Sequence, residues 1–480
     1  MNSALLYRAD PRHAELGDDF LDVVEAATFP RLELRYRNDR WAELVGLGAL
    51  DGDEWLRHFG RFEPLPGNFE RPLALRYHGH QFQTYNPHLG DGRGFLFAQL
   101  RDAVDDRLLD LGTKGSGQTP WSRGGDGRLT LKGGVREVLV TQMLEALGVY
   151  TSKSFSLIET GEELIREDEP SPTRSSVLVR LSHSHIRFGS FQRQAYLSRA
   201  DNVQKLVDYS VAHYFPELLE LGAEERCAAF LRSVVTRSAE LAASWMAAGF
   251  VHGVLNTDNL NITGESFDYG PYRFLPTLDP GFTAAYFDST GLYAYGRQPQ
   301  VVKWNLDRLA ETLLTICARE PLLEALESYE PSFSRALCDC TLLRLGLRTT
   351  WSEEGPGDKD VQFVNSVYKF MHASQLGFEQ FFFDWYGGLA SEDRAARSPE
   401  ADKYKTFEFE EIKDELGRYQ TGEPDALSST YFDRDRPCTL LIDEIESIWS
   451  DIADDDDWSA FATKLDEIEE LRQTLDWSPF

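Results

Sequence analysis

Asn259 and Asp268 stand at opposite ends of the segment NITGESFD, which reads as a short hairpin over 261–268. One amide oxygen and one carboxylate brought together suit a magnesium ion, which prefers few protein carboxylates and completes its octahedron with water and phosphate oxygens. Lys114, in LGTKGSGQTP, ends a predicted strand, and Glu137, in VREVL, lies 23 residues later on a predicted helix. Singly these are a surface lysine and a solvated helix residue; in this order they suit a cation held by a carboxylate for phosphate binding. LGDGRGF places Gly90 and Gly92 around an acid and follows them with Arg93, so backbone amides and a guanidinium can face one phosphate. Alone, a G-x-G is more often a plain turn. Asp126-Gly127-Arg128 repeats the combination of acid, glycine and arginine. Arg180 and Arg187, in LVRLSHSHIRFG, are grouped as polyphosphate-neutralising arginines often are. For His183 and His185 between them, a hydrogen-bonded structural role is the better reading.

The block HGVLNTDN followed by DYG sharpens this. Protein kinases use H-x-D-x-x-x-x-N to supply a base and a metal-binding Asn, and D-F-G to supply a metal-binding Asp. Here His252 and Asn259 keep the kinase separation, and Asp268-Tyr269-Gly270 stands in place of D-F-G. Val254, however, occupies the position of the catalytic aspartate, and an aliphatic side chain accepts no proton. Asp258 is the nearest replacement carboxylate.

The elements needed to position these groups are legible around them. FLFAQLRD, the turn AVDD and RLLDLGTKG read as a β-hairpin. Lys132 to Leu147 carries Val135, Leu139, Met143 and Leu147 at helical spacing and stops at Gly148. FSLIET and SSVLVRLS read as strands, and Asp201 to Ala248 as helices broken at Pro216. The expected class is α+β, a protein-kinase-like bilobal fold with a mostly helical C-terminal extension. Residues 1–72 are expected to brace the rest, 73–200 to form a β-rich nucleotide-binding lobe, 201–320 to carry the metal and catalytic loop, and 321–480 to be helical.

Composition removes several classes. With 42% hydrophobic and 12% aromatic residues the chain can bury a large core. A formal net charge of -30 would repel a nucleic-acid backbone, so no nucleic-acid partner is expected. The acid run Asp454 to Asp457 reads as a solvated face. Cys227, Cys317, Cys338, Cys340 and Cys438 show no C-x-x-C or zinc spacing, which fits a reducing compartment. No basic-then-apolar leader and no apolar run of membrane length is seen, so a cytoplasmic protein without a membrane partner is expected.

At YHGHQFQTYNPHLGDGR, LGTKGSGQTPWSRGGDGR, VREVL, RLSHSHIRFGSF, HGVLNTDNLNITGESFDYGP and AYGRQPQVVKWNLDRLA the sequence resembles the SelO/YdiU family of kinase-like adenylyltransferases. The resemblance covers roughly Phe59 to Ala310. It implies a nucleotide bound in the reverse sense from kinases, with the α-phosphate open to an incoming hydroxyl. It further implies that Gly90, Gly92, Arg93, Lys114, Asp126, Gly127, Arg180, Arg187 and Asp268 hold ATP, with Glu137 orienting Lys114. Asn259 and Asp268 would hold Mg²⁺ or Mn²⁺, and Asp258 would accept the proton. The product would be AMP on Ser, Thr or Tyr of a protein, with pyrophosphate leaving. The family's YGGHQFG reads YHGHQFQ here and its RSSIRE reads KGGVRE. The NPKYVLRN segment is missing and the chain ends DWSPF, without a selenocysteine or cysteine tail. Two alternatives stay open at this point: an atypical kinase moving the γ-phosphate, and a pseudokinase scaffold that binds ATP without catalysis.

Overall fold

Strand-forming segments in the first half of the chain, buried almost throughout in β6, β7 and β10, build one antiparallel sheet, and the rest is mainly helical, giving an α+β protein. The structure, a computed structural model, describes residues 6–476 except 168, 350, 352–354 and 423; the end of DWSPF therefore lies outside the described residues. The strands are β1 (Leu21–Val23), β2 (Glu33–Arg37), β3 (Leu73–Leu75), β4 (Gly79–Gln81), β5 (Thr84–Asn86), β6 (Gly94–Arg101), β7 (Leu108–Lys114), β8 (Leu129–Thr130), β9 (Lys153–Leu164) and β10 (Thr173–Ser182). The main sheet runs β1-β3-β6-β7-β10-β9-β2, with β8 pairing beside β10, while β4 and β5 make a separate hairpin. Two strands from the first 72 residues thus form the two ends of the sheet.

Helices follow as α1 (Asp39–Leu44), α2 (Gly52–Phe59), α3 (Leu131–Ala146), α4 (Phe188–Tyr196), α5 (Ala200–Tyr214), α6 (Ala223–Ala247) and α7 (Gln298–Leu313). Strand β10 shows why the sheet needs cover on both faces. Val177, Val179 and Leu181 pack with Trp41, Trp55 and Phe59 of α1 and α2, whereas Leu178 joins a second core with α3, α5, α6 and α7.

Helix α3 starts where Thr130 accepts a hydrogen bond from the Gly133 amide at 3.1 Å, an N-cap that satisfies one otherwise orphaned donor. It ends at Ala146, one residue before the sequence-based estimate, with Gly148 in the left-handed region at φ 76°. A Cβ at Gly134 would lie 2.3 Å from Leu157 Cδ1, so only glycine lets α3 approach the sheet this closely. Two late helices, Ile442–Asp455 and Ser459–Leu475, pack on the outside of α3, where Lys132 meets Glu446 at 2.7 Å. No described helix is long and apolar enough to cross a membrane.

The segment 261–268 is not the hairpin expected. Gly264 closes a turn onto Asn261, and isolated bridges tie Asn261 to Arg187 and Ser266 to Thr151. The chain is too short to pair with itself there and borrows neighbours from the ends of β9 and β10 instead.

Glu265 in this turn is buried and accepts the His183 amide at 2.9 Å. Burial pushes its carboxyl up to about 8. A folded pKa above the unfolded value means that the folded state retains a proton the unfolded chain has lost. Stability therefore falls as pH rises from about 4.5 to about 8, with a limiting slope near 1.4 kcal/mol per pH unit. Glu265→Gln should flatten this dependence and raise Tm most at pH 8; thermal unfolding at pH 5 and pH 8 measures it, and equal Tm changes at both pH values would contradict the assignment.

Candidate active site

A cleft of about 770 Å³ opens between the sheet and the loop after α6. Every residue the resemblance assigns to nucleotide, metal or proton lines it; Glu137, which sits behind Lys114, and His252 of the kinase-like motif do not. The register of the central strands accounts for this convergence. Lys114 at the end of β7 lies opposite Gly94 of β6 and Leu178 of β10, and Arg180 follows two residues later on the same side of β10. Arg187 precedes α4, so its side chain leaves the end of the same strand-to-helix connection.

These three cations meet one carboxylate. Asp268 Oδ1 accepts from Lys114 Nζ at 3.1 Å and from Arg180 Nη1 at 3.3 Å, while Oδ2 accepts from Arg187 Nη1 at 3.2 Å. Burial alone would raise the Asp268 pKa, but Lys114, Arg180, Arg187 and Arg93 outweigh it and hold the group well below the usual carboxylate range. Lys114 also donates to Glu137 Oε1, and Arg180 Nη1 lies 3.9 Å from Glu137 Oε2. The strand lysine and helix glutamate therefore pair, both buried. Asp268 itself holds φ at 65°, a backbone strain that aims its side chain at the cations.

Arg187 is the most constrained of the three. Its guanidinium lies between the rings of Tyr77 at 4.6 Å and Phe267 at 4.8 Å, donates to the Asp258 carbonyl at 2.7 Å and approaches Asp91 at 3.6 Å. Planar stacking combined with a forked donor is something lysine does not reproduce.

Asn259 Nδ2 lies 3.3 Å from Asp268 Oδ2, so the carboxamide and the carboxylate share one point in space. Oxygen donors of this type in this number fit a hard divalent ion that takes its other ligands from water and phosphate. Among the described residues no cluster of three or more His, Cys, Asp or Glu forms a metal cage. Asp258, one residue earlier, is buried, and its Oδ1 has no hydrogen-bond partner. Burial pushes this carboxyl up to about 6, with Asp268 reinforcing the rise and Arg187 opposing it. Gly79 of β4 backs it so closely that a Cβ there would sit 2.6 Å from Oδ1. His252 lies beneath the loop, with Nε2 3.2 Å from the Phe267 carbonyl.

The two glycine loops are used differently. Gly90 lies against the Trp121 ring, which a Cβ would approach to 2.4 Å, and the acid between the glycines, Asp91, turns inward to accept the Leu75 amide at 3.0 Å. Arg93 is exposed at the mouth. In the second loop Asp126 faces outward to pair with Arg166 at 2.8 Å, and Arg128 makes a two-point contact with Glu162. Gly127 holds φ at 71° where a Cβ would strike the Gly117 carbonyl.

The sequence reading missed Tyr77, Asp91, Trp121, Arg123 and Arg166 as cleft residues. The GDG spacing marked Asp91, and Tyr77, Trp121 and Arg123 lie inside the motifs that carry the family resemblance; Arg166 becomes a neighbour only through folding. His183 and His185 take the structural role expected of them. His183 Nδ1 pairs with the Tyr150 hydroxyl, and His185 Nδ1 lies 3.1 Å from Asp110 Oδ2.

A family model described as protein adenylyltransferase SelO matches residues 4–469. The chain belongs to the SelO family. Relatives in that family include proteins named protein nucleotidyltransferase YdiU. The one from Synechocystis sp. is 44% identical over 94% of this chain and 96% of its own length. The one from Gloeobacter violaceus is 47% identical over 96% and 94%, and the one from Trichodesmium erythraeum 43% identical over 97% and 99%. The resemblance read from Phe59 to Ala310 thus extends through the helical C-terminal region.

Removing the fork at the centre of this site should be costly. Arg187→Lys keeps the charge but loses the stacking and the bridging of Asp258 to Asp268, and a stability loss of about 1–3 kcal/mol is expected. Urea unfolding of the nucleotide-free protein tests it; an unchanged midpoint would mean that charge alone suffices.

Proposed function

We infer that this chain is a protein adenylyltransferase: it transfers AMP from ATP to Ser, Thr or Tyr hydroxyls of proteins and releases pyrophosphate. The observation carrying this reading is the pairing of Val254 with Asp258. The position that would hold a phosphotransfer base is aliphatic, and Asp258, whose Oδ1 has no hydrogen-bond partner, lines the same cleft as the cation cluster. The arrangement of Lys114 with Glu137 and of Asn259 with Asp268 supports a kinase-like scaffold for it.

Lys114, Arg180 and Arg187 neutralise the triphosphate, and Arg93 meets it at the cleft mouth. The buried end of the cleft is where these cations converge, which favours a nucleotide whose β- and γ-phosphates enter first and whose α-phosphate faces the acceptor. Gly90, Gly92 and Gly127 keep the cleft walls low enough for backbone to approach the nucleotide. Magnesium or manganese, held by Asn259 and Asp268, would supply further neutralisation of phosphate oxygens when bound. Asp258, with a pKa near 6, is ionised at neutral pH yet basic enough to receive a proton. In the transfer, the acceptor oxygen bonds to the α-phosphorus as the bond to pyrophosphate breaks, and the hydroxyl proton passes to Asp258. Arg187 fixes the Asp258 backbone during this step through the bond to its carbonyl.

Parallel incubation of the purified protein and a heat-inactivated cell lysate with α-³²P-ATP or γ-³²P-ATP distinguishes the readings. Protein label from the α-labelled nucleotide alone is expected; label from the γ-phosphate would identify a kinase, and no label from either a binding scaffold. Asp258→Asn should slow labelling by about 10²- to 10⁴-fold while ATP still raises the melting temperature. Normal labelling by this variant would remove Asp258 as the proton acceptor.

A further inference from the structure

The rim of the cleft carries an aromatic patch that the nucleotide chemistry does not use. Tyr286 is 87% exposed, Phe287 49% and Phe82 37%, and their rings form a chain: Tyr286 lies 5.1 Å from Phe287, which lies 5.9 Å from Phe82. Phe82 in turn packs at 4.9 Å on Tyr293, whose hydroxyl donates to Asn256 Oδ1 at 2.7 Å. Asn256 lines the cleft two residues before Asp258.

The backbone holds this patch at some cost. Phe82 and Gln83 form the two-residue turn between β4 and β5 with φ of 48° and 61°. Such turns favour Asn and Gly, and a bulky residue in the left-handed region is uncommon. The turn is pinned to the catalytic loop, since the Phe82 amide donates to Asn256 Oδ1 and to the Tyr293 hydroxyl, both at 3.1 Å. The other half is braced too: Asp288 accepts the amides of Leu292 and Tyr293, and Ala284 abuts Gly253 of the catalytic loop. An exposed aromatic side chain held in a strained turn gains little for folding, and strain of this kind points toward a functional contact.

We propose that Phe82, Tyr286 and Phe287 are a docking platform for the acceptor protein, seating an apolar side chain that lies within a few residues of the hydroxyl to be modified. This rests on the adenylyltransferase reading, because an acceptor must reach Asp258 and the patch is continuous with the loop that carries it. The occupant is an extended polypeptide segment rather than an anionic membrane or a second copy of this chain, because a net charge of -30 opposes both.

The test uses two sets of synthetic peptides of equal net charge, each with a central Ser, Thr or Tyr, flanked by Leu and Phe in one set and by Gln in the other. Labelling from α-³²P-ATP is followed with the full chain and with the double variant Tyr286→Ser/Phe287→Ser. The parent protein should show a KM about tenfold lower for the apolar set, the scale expected for covering part of an aromatic ring. The variant should lose that preference through KM, with kcat within about twofold and ATP-dependent thermal stabilisation unchanged. Equal KM values for both sets with the parent protein, or a preference kept by the variant, overturn the platform. So does a variant whose only change is loss of self-association in sedimentation. Lysate proteins labelled from α-³²P-ATP with neither peptide set labelled also overturn the platform alone, whereas an unlabelled lysate overturns the adenylyltransferase reading beneath it.

Discussion

Three buried cations around a single carboxylate are the constraint from which the rest of this architecture follows. Lys114, Arg180 and Arg187 are each nearly excluded from solvent, and removing charges from water costs several kcal/mol per ion unless they are paired. Asp268 is shared among them at 3.1–3.3 Å, so no single pair is ideal. Glu137 shields Lys114 from behind, and it can do so only because Gly134 lets α3 settle against Leu157. On the proposed reading, phosphate oxygens take over the role of Asp268 toward the cations, leaving that carboxylate available to a divalent ion. Nucleotide and metal would then favour one another, since either one alone leaves charges unmatched.

What the sequence disclosed and what it hid divide along the distance over which each feature is determined. The hairpin of β6 and β7 and the helix α3 were legible because strand-turn-strand patterning, helical spacing and a terminal glycine are local. Lys114 and Glu137 were legible as a pair because strand and helix are consecutive. The strands β1 and β2 were not: they are short, and their β character comes from sheet partners far along the chain. The turn at 261–268 was misread as a hairpin because its backbone pairs outward, Ile262 donating to Ile186 and Ser266 bonding Tyr150 and Ser152, residues no local pattern could nominate.

The two glycine loops show the same limit at the level of single side chains. GDGR occurs twice, and composition treats the copies alike. One acid, Asp91, is buried beneath the cleft and held by the Leu75 amide, where it balances Arg187; the other, Asp126, is half exposed and draws Arg166 to the rim. Identical residues thus contribute a buried counter-charge in one loop and a surface tether in the other, and the difference is set by whether the loop leads into β6 or runs along the cleft edge before β8.

The chain as a whole carries a charge of -30, yet its cleft gathers Lys114, Arg180 and Arg187, and on the proposed reading it receives a polyanion. These two facts are compatible because they act over different distances. Repulsion from the acidic surface is a long-range effect between solvated charges, screened beyond about 8–10 Å at ordinary ionic strength. Attraction from Lys114, Arg180 and Arg187 operates at contact distance inside a low-dielectric cleft, where salt screens little. Exposed Arg93 and Arg123 stand at the mouth between these regimes, so on the proposed reading an approaching triphosphate would meet positive charge before losing its hydration. On the proposed reading the same separation of scales would let the acidic surface repel a nucleic acid, whose extended backbone must lie along that surface, while a single nucleotide would need only the cleft.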